Sequence, residues 1–180
     1  KNIKLMDFDQ TTSFVMRYKV VLVGDISVGK TSVISQFIEN SFKDVYDPSI
    51  GVDFQSKTVR FRGRHLKLQM WDTAGQEKYK SLIPSYIRGS SIIFLVYDIS
   101  NRDSFENISN WIAFIQKIQR PSIMVLCGNK LDLEDKRQVD TQEAFDLAEK
   151  EEMLFFEISA KEDFDISKMF YTSISCLDCF

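Results

Sequence analysis

The run Gly24-Asp25-Ile26-Ser27-Val28-Gly29-Lys30-Thr31 combines two glycines, a lysine and a hydroxyl in an order that suits phosphate groups. Glycine lets the chain wrap so tightly that several backbone N–H groups point into one concavity, where an anion is held. In this pattern Lys30 reaches the β- and γ-phosphates and the Thr31 hydroxyl ligates Mg2+. Asp25, Ser27, Val28, Gly29 and Ser32 complete the expected cradle. The pattern needs a buried strand before it and a helix after it. Tyr18–Val23 reads as the strand, and Val33, Ile34, Phe37 and Ile38 recur at helical spacing. The plain alternative is a ligand-free strand-to-helix turn, which eight matched positions in context leave little room for.

A phosphate loop does not choose between ATP and GTP. Asn129-Lys130-Leu131-Asp132 does, because a carboxylate there accepts from both the ring N–H and the exocyclic amine of guanine. Adenine offers neither donor in that arrangement, so with ATP the Asp132 charge would lose its partners, a loss of several kcal/mol. Asn129 is expected to brace the base pocket and the Lys130 stem to cover the base face. Ser159-Ala160-Lys161 follows the next strand, where the Ala160 N–H can reach the guanine carbonyl. Asp72-Thr73-Ala74-Gly75-Gln76-Glu77 supplies the rest. Asp72 holds Mg2+ through water, the Gly75 N–H meets the γ-phosphate, and Gln76 orients the attacking water.

These loops must be positioned by elements the pattern also predicts. Tyr18–Val23, Ser91–Tyr97, Ser122–Cys127 and Met153–Ile158 read as strands buried on both faces. Phe105, Ile108, Trp111, Ile112, Ile115 and Ile118 make one helix face behind an Asp103/Ser104 cap. A second helix starts at Asp140 or Thr141 with Ala144, Phe145 and Ala148 inward, and a third runs from about Asp165 through Ile174. Two strand-like arms flank Arg62-Gly63-Arg64, a hairpin turn within Val52–Trp71. Strand alternating with helix, plus one antiparallel hairpin, predicts a three-layer, mostly parallel α/β domain. Residues 17–180 are expected to form this one domain, with 1–16 a loose arm.

Composition agrees: 180 residues, 44% hydrophobic and 27% charged, are those of an ordinary globular domain. A net charge of −3 with both signs interspersed argues against a nucleic-acid-binding domain. Apolar runs are strand-sized rather than membrane-spanning, and no secretory leader is visible. Three cysteines without a framework fit the cytosol.

Together the motifs resemble the Ras superfamily, and within it the Rab branch, over about Tyr18 to Leu177. Ile50-Gly51-Val52-Asp53-Phe54, Lys67-Leu68-Gln69-Met70-Trp71 and Leu95-Val96-Tyr97-Asp98-Ile99-Ser100 are Rab-like. Ser81–Arg88 and Asp135–Val139 are similar especially to the Golgi-associated Rabs. The resemblance implies a six-stranded small-G-protein fold and a monomeric switch that binds GTP or GDP with Mg2+ and hydrolyses GTP slowly. It implies that Phe42 packs on the guanine, Tyr46 lies over the phosphates and Ser49 joins Thr31 at the metal. Residues 46–54 and 74–86 would be the two switches, ordered by the γ-phosphate through Ser49 and Gly75. Phe54, Trp71 and Tyr86 match the aromatic triad that meets effectors; ordinary core packing is the alternative for these rings. The implied partners are an exchange factor, a GTPase-activating protein, a dissociation inhibitor and effectors. The implied location is the cytoplasm and the cytosolic face of Golgi or endosomal membranes, reached through a lipidated tail. Cys176–Phe180 matches no CaaX box, so the chain reads as part of a longer protein.

Two departures bear on the chemistry. Ser49 stands where most relatives have Thr, and Ile26 where relatives carry a small or polar residue. Ile26 motivates a second reading, a GTP-binding interaction module with negligible turnover. A P-loop kinase or ATPase would need a basic lid and an acceptor site, and Asn129 and Asp132 speak against it.

Overall fold

The computed structural model describes residues 15–42, 52–73 and 81–177. Tyr46, Ser49, Gly75 and Gln76 lie outside the described residues, as does most of the expected N-terminal arm.

The strands are β1 (Met16–Val23), β2 (Val52–Phe61), β3 (Arg64–Thr73), β4 (Ile92–Asp98), β5 (Ile123–Asn129) and β6 (Leu154–Glu157). They form one sheet in the order β2-β3-β1-β4-β5-β6. Only β2 and β3 pair antiparallel, through the turn at Arg62 and Gly63; the other pairings are parallel. The helices are α1 (Lys30–Glu39), α2 (Ile83–Ile87), α3 (Arg102–Glu106), α4 (Ile108–Ile118), α5 (Thr141–Lys150) and α6 (Ile166–Leu177), with a 3-10 helix at Leu131–Lys136.

Alternation along each strand splits the core in two. Val20 and Leu22 face one side with α1 and α6, where Phe37 stacks on Phe170 at 3.9 Å. Val21 and Val23 face the other, under Ile83 of α2, Ile112 of α4 and Ala144 of α5. The central strand β4 is buried at all seven positions, which is why it reads as an unbroken apolar run. This is the expected three-layer fold, six-stranded with one antiparallel hairpin.

Three local expectations need correction. The helix predicted over Phe105–Ile118 is two helices, interrupted at Asn107, and its cap is Asn101, whose side chain accepts from the Ser104 N–H at 3.2 Å. Asn107 keeps its ladder bonds, its N–H donating to the Asp103 carbonyl at 3.0 Å and its carbonyl accepting from the Trp111 N–H at 3.1 Å, while its side chain donates to Asp25. Phe145 does not point inward: it is 46% exposed and meets Phe155 edge-on at 6.3 Å. The buried stripe of α5 is Ala144 and Ala148, one turn apart, and Phe145 sits a third of a turn off it. Finally, β6 is half-buried along its length rather than enclosed, because an edge strand has one neighbour.

Candidate functional site

The phosphate loop leaves β1 at Gly24 and enters α1 at Lys30. Gly24 (φ 143°) lies so close to β4 that an added Cβ would meet the Val96 carbonyl oxygen at 2.1 Å. Gly29 (φ 94°) is pressed the same way against Asn129, with Nδ2 at 2.3 Å from the position of a Cβ. Both sites therefore require glycine for space as well as for dihedral angle. Between them Ser27 holds φ 63°, a left-handed conformation that an L-residue with a side chain adopts at a cost. The first helical bond of α1 runs from the Val33 N–H to the Gly29 carbonyl at 3.0 Å. The first turn of α1 thus presents its backbone N–H end at the phosphate loop, the kind of place that suits an anion.

Lys30 is 6% exposed. Its ammonium donates to the Gly24 and Asp25 carbonyls at 2.9 and 2.6 Å, so the lysine spans the mouth of its own loop. Burial pushes its pKa down to about 8, with Asp72 and Asp25 opposing part of that shift. A bound polyphosphate would add negative charge and favour the charged form further. Asp25 was expected in the cradle, but its carboxylate turns away: Oδ1 accepts from Asn107 Nδ2 at 2.6 Å and from Trp111 Nε1 at 2.9 Å. Only its backbone belongs to the loop.

Thr31 Oγ1 donates to Asp72 Oδ2 at 2.5 Å, where β3 ends beside the start of α1. Thr31 is exposed and Asp72 is 2% exposed. A hydroxyl and a carboxylate side by side at the loop mouth are the hard oxygen donors Mg2+ takes while keeping its waters. These two residues fit the ion; Ser49 lies outside the described residues. When bound, the ion neutralises charge on the phosphate oxygens.

The base end is built by hydrogen bonds between loops far apart in sequence. Asn129, 1% exposed, donates from Nδ2 to the Val28 carbonyl at 2.9 Å and accepts at Oδ1 from the Ala160 N–H at 3.2 Å. One side chain thereby joins the phosphate loop, the end of β5 and the loop after β6. The Ala160 N–H thus sits at this junction, beside Asn129. Asp132 accepts from the Ser159 hydroxyl at 2.6 Å, and the Leu131 N–H donates to the Ile158 carbonyl at 3.0 Å. Lys130 adopts φ 67° and places its ammonium 2.7 Å from Asp98 Oδ2. Lys161 is exposed, and Phe42 is a 36% exposed ring just beyond α1.

The three aromatic residues do come together. Phe54 lies 4.9 Å from Trp71, and Trp71 lies 5.1 Å from Tyr86. Trp71 and Tyr86 pack partly on the core, while Phe54 is 45% exposed, so the stack opens onto the surface.

Sequence reasoning missed Asp98, Asn107, Arg137 and Glu157. Asp98 closes a buried strand, a position where α/β proteins place functional groups, and that was the available signal. Arg137 grips Glu157 with both arms of its guanidinium, at 2.6 and 3.0 Å, locking the segment after Asp132 to the strand before Ser159. The Ras family model matches residues 19–178, a span that takes in every loop described above. The chain belongs to the Ras family, and is a small GTPase that binds guanine nucleotide with Mg2+.

Proposed function

We propose that this protein is a Rab-branch switch of vesicle trafficking, which hydrolyses GTP slowly and recruits effectors in the GTP state. The observation that supports it is the base end of the site. Asp132 is oriented by Ser159, and Asn129 fixes the loops on either side. Such a carboxylate discriminates by what it would lose: with guanine it has two donors, with adenine none. In this reading the backbone N–H groups of residues 29–32 and the Lys30 ammonium hold the phosphates. Gln76 orients the water, Tyr46 and Phe42 cover the nucleotide, and Ser49 and Gly75 carry the γ-phosphate signal into the switches. Effectors then meet Phe54, Trp71 and Tyr86, whose stack presents an exposed ring beside the switches.

Labelled GDP displaced by GTP, ATP and XTP tests the specificity. GTP is expected to compete on the native protein and ATP to fail by more than roughly a hundredfold. Asp132→Asn is expected to move preference toward xanthine, because an amide donates to the extra carbonyl. ATP competing within about tenfold of GTP, an energy difference of about 1.4 kcal/mol, would remove the guanine reading.

The reading extends to location: the protein cycles between cytoplasm and the cytosolic face of Golgi or endosomal membranes through lipidated cysteines in a tail. Among the described residues no helix is long and apolar enough to cross a membrane. One lipid chain binds marginally and two bind stably, so two modified cysteines are expected. The intact mass of the protein isolated from its own cells reads this directly, and a chain without added lipid would sink it.

A further inference from the structure

Asp25 places a carboxylate in a loop that holds polyphosphate, where a negative side chain facing the ligand would repel it. The loop turns that group outward, onto Asn107 Nδ2 at 2.6 Å and Trp111 Nε1 at 2.9 Å, at the start of α4. We propose that Asp25 is a positioning residue: its tie to α4 holds the first turn of the phosphate loop in nucleotide-ready shape and so slows nucleotide release. The proposal rests on the guanine-nucleotide reading of the site.

Ser27 supplies the need for such a tie. Its left-handed φ of 63° is a local strain, and strain of this kind persists only where the surrounding structure fixes the chain on both sides. On the far side Val28 is fixed, its carbonyl held by Asn129 at 2.9 Å. On the near side two devices act. One is Lys30, bonded to the Gly24 and Asp25 carbonyls, but that ammonium is the group that turns to the phosphates. The other is the Asp25 carboxylate, whose bonds use no group that faces the ligand. Among the described side-chain bonds it is the one that can hold the turn while Lys30 is engaged elsewhere. A loop that is competent for only part of the time binds more weakly in proportion to that fraction.

The competing account is that Asp25 merely satisfies the N–H of Trp111, an indole only 6% exposed. On that account its loss lowers stability and leaves the release rate alone. The two are separated by chasing labelled GDP with excess GTP in Mg2+, alongside thermal melts, for the native protein and three variants. Asp25→Ala is expected to release GDP roughly tenfold faster, as for a bound loop whose open state is about ten times more populated. Trp111→Phe, which keeps a packed ring and removes one donor, is expected to move the same way by about threefold. Asp25→Asn keeps an oxygen that can accept both bonds, and is expected to return to within about twofold of native.

Native release rates in both Asp25→Ala and Trp111→Phe would overturn the proposal, whatever the melts show. So would Asp25→Asn releasing as fast as Asp25→Ala, since the effect would then belong to the charge. If Asp25→Ala does not fold, a native release rate in Trp111→Phe, or an Asp25→Asn rate raised roughly tenfold, overturns the proposal. A native protein that holds labelled GDP no better than labelled ATP would instead strike the guanine reading itself, before any variant is compared.

Discussion

Ile26 stands 50% exposed at the turn of the phosphate loop, immediately before the strained Ser27. A branched sec-butyl group is stiff at χ1 and offers no hydrogen bond to charge developing on a transferred phosphoryl group. Catalysis of this transfer is mostly positioning, so crowding Gln76 and its water can cost on the order of tenfold in rate, about 1.4 kcal/mol of barrier. Single-turnover hydrolysis is therefore expected to rise by about that factor in Ile26→Gly and to fall in Gln76→Leu, with GDP affinity nearly constant in the first. An unchanged Ile26→Gly rate beside a responsive Gln76→Leu would mean that Ile26 does not restrain the chemistry, and would remove the ground for the low-turnover reading. At this scale the sequence is most legible where chemistry needs contiguous residues, as from Gly24 to Thr31 and from Asn129 to Asp132. It is least legible where a side chain serves a distant partner. Asp25 was assigned to the cradle because its neighbours in sequence are there, whereas its partners lie 82 and 86 positions away. The clue was Trp111, read only as an apolar face, although a buried indole N–H needs an acceptor.

The elements were legible to the extent that periodicity reports burial. Strand β4 and helix α6 fall where their apolar patterns put them, because both are packed on the faces the pattern marks. Phe145 misled because period alone does not fix the width of a buried stripe. Only the neighbouring edge strand, through Phe155, explains where that ring goes. The break at Asn107 likewise accompanies a bond that leaves the helix, from its side chain to the phosphate loop. The clamp between Arg137 and Glu157 also joins elements the chain reaches separately. Both side chains are mostly buried, at 16% and 12% exposure, and the paired fork geometry fixes orientation as well as distance. It lies behind the loops that carry Asp132 and Ser159, and so helps set the spacing on which base recognition depends.

Across the whole molecule, the loops that build the site all leave the same ends of parallel strands: Gly24 after β1, Asp72 and Thr73 at the end of β3, Asn129 at the end of β5, Ser159 after β6. Ligands of open α/β sheets bind at such strand ends, because several otherwise separate loops converge there. The order of strands in the sheet was not legible from spacing, because nothing local in Tyr18–Val23 says that β3 and β4 will be its neighbours. The consequence is thermodynamic. The phosphate loop, the magnesium pair and the base loops come from separate segments of the chain, and Asn129 reaches Val28, 101 positions away, through one side chain. A ligand touching all of them binds the folded chain and not the unfolded one. At a thousand times its dissociation constant it adds about 4 kcal/mol. For a domain of this size each kcal/mol moves the thermal midpoint by roughly 2–4 °C, so a rise of about 10 °C is expected with GDP and Mg2+. ATP at the same concentration should leave the midpoint where it was, and chelating Mg2+ in the presence of GDP should give back part of the rise. Equal shifts with GDP and ATP would mean that the phosphates are held without the base being read, and the converging loops would then lose their assigned role.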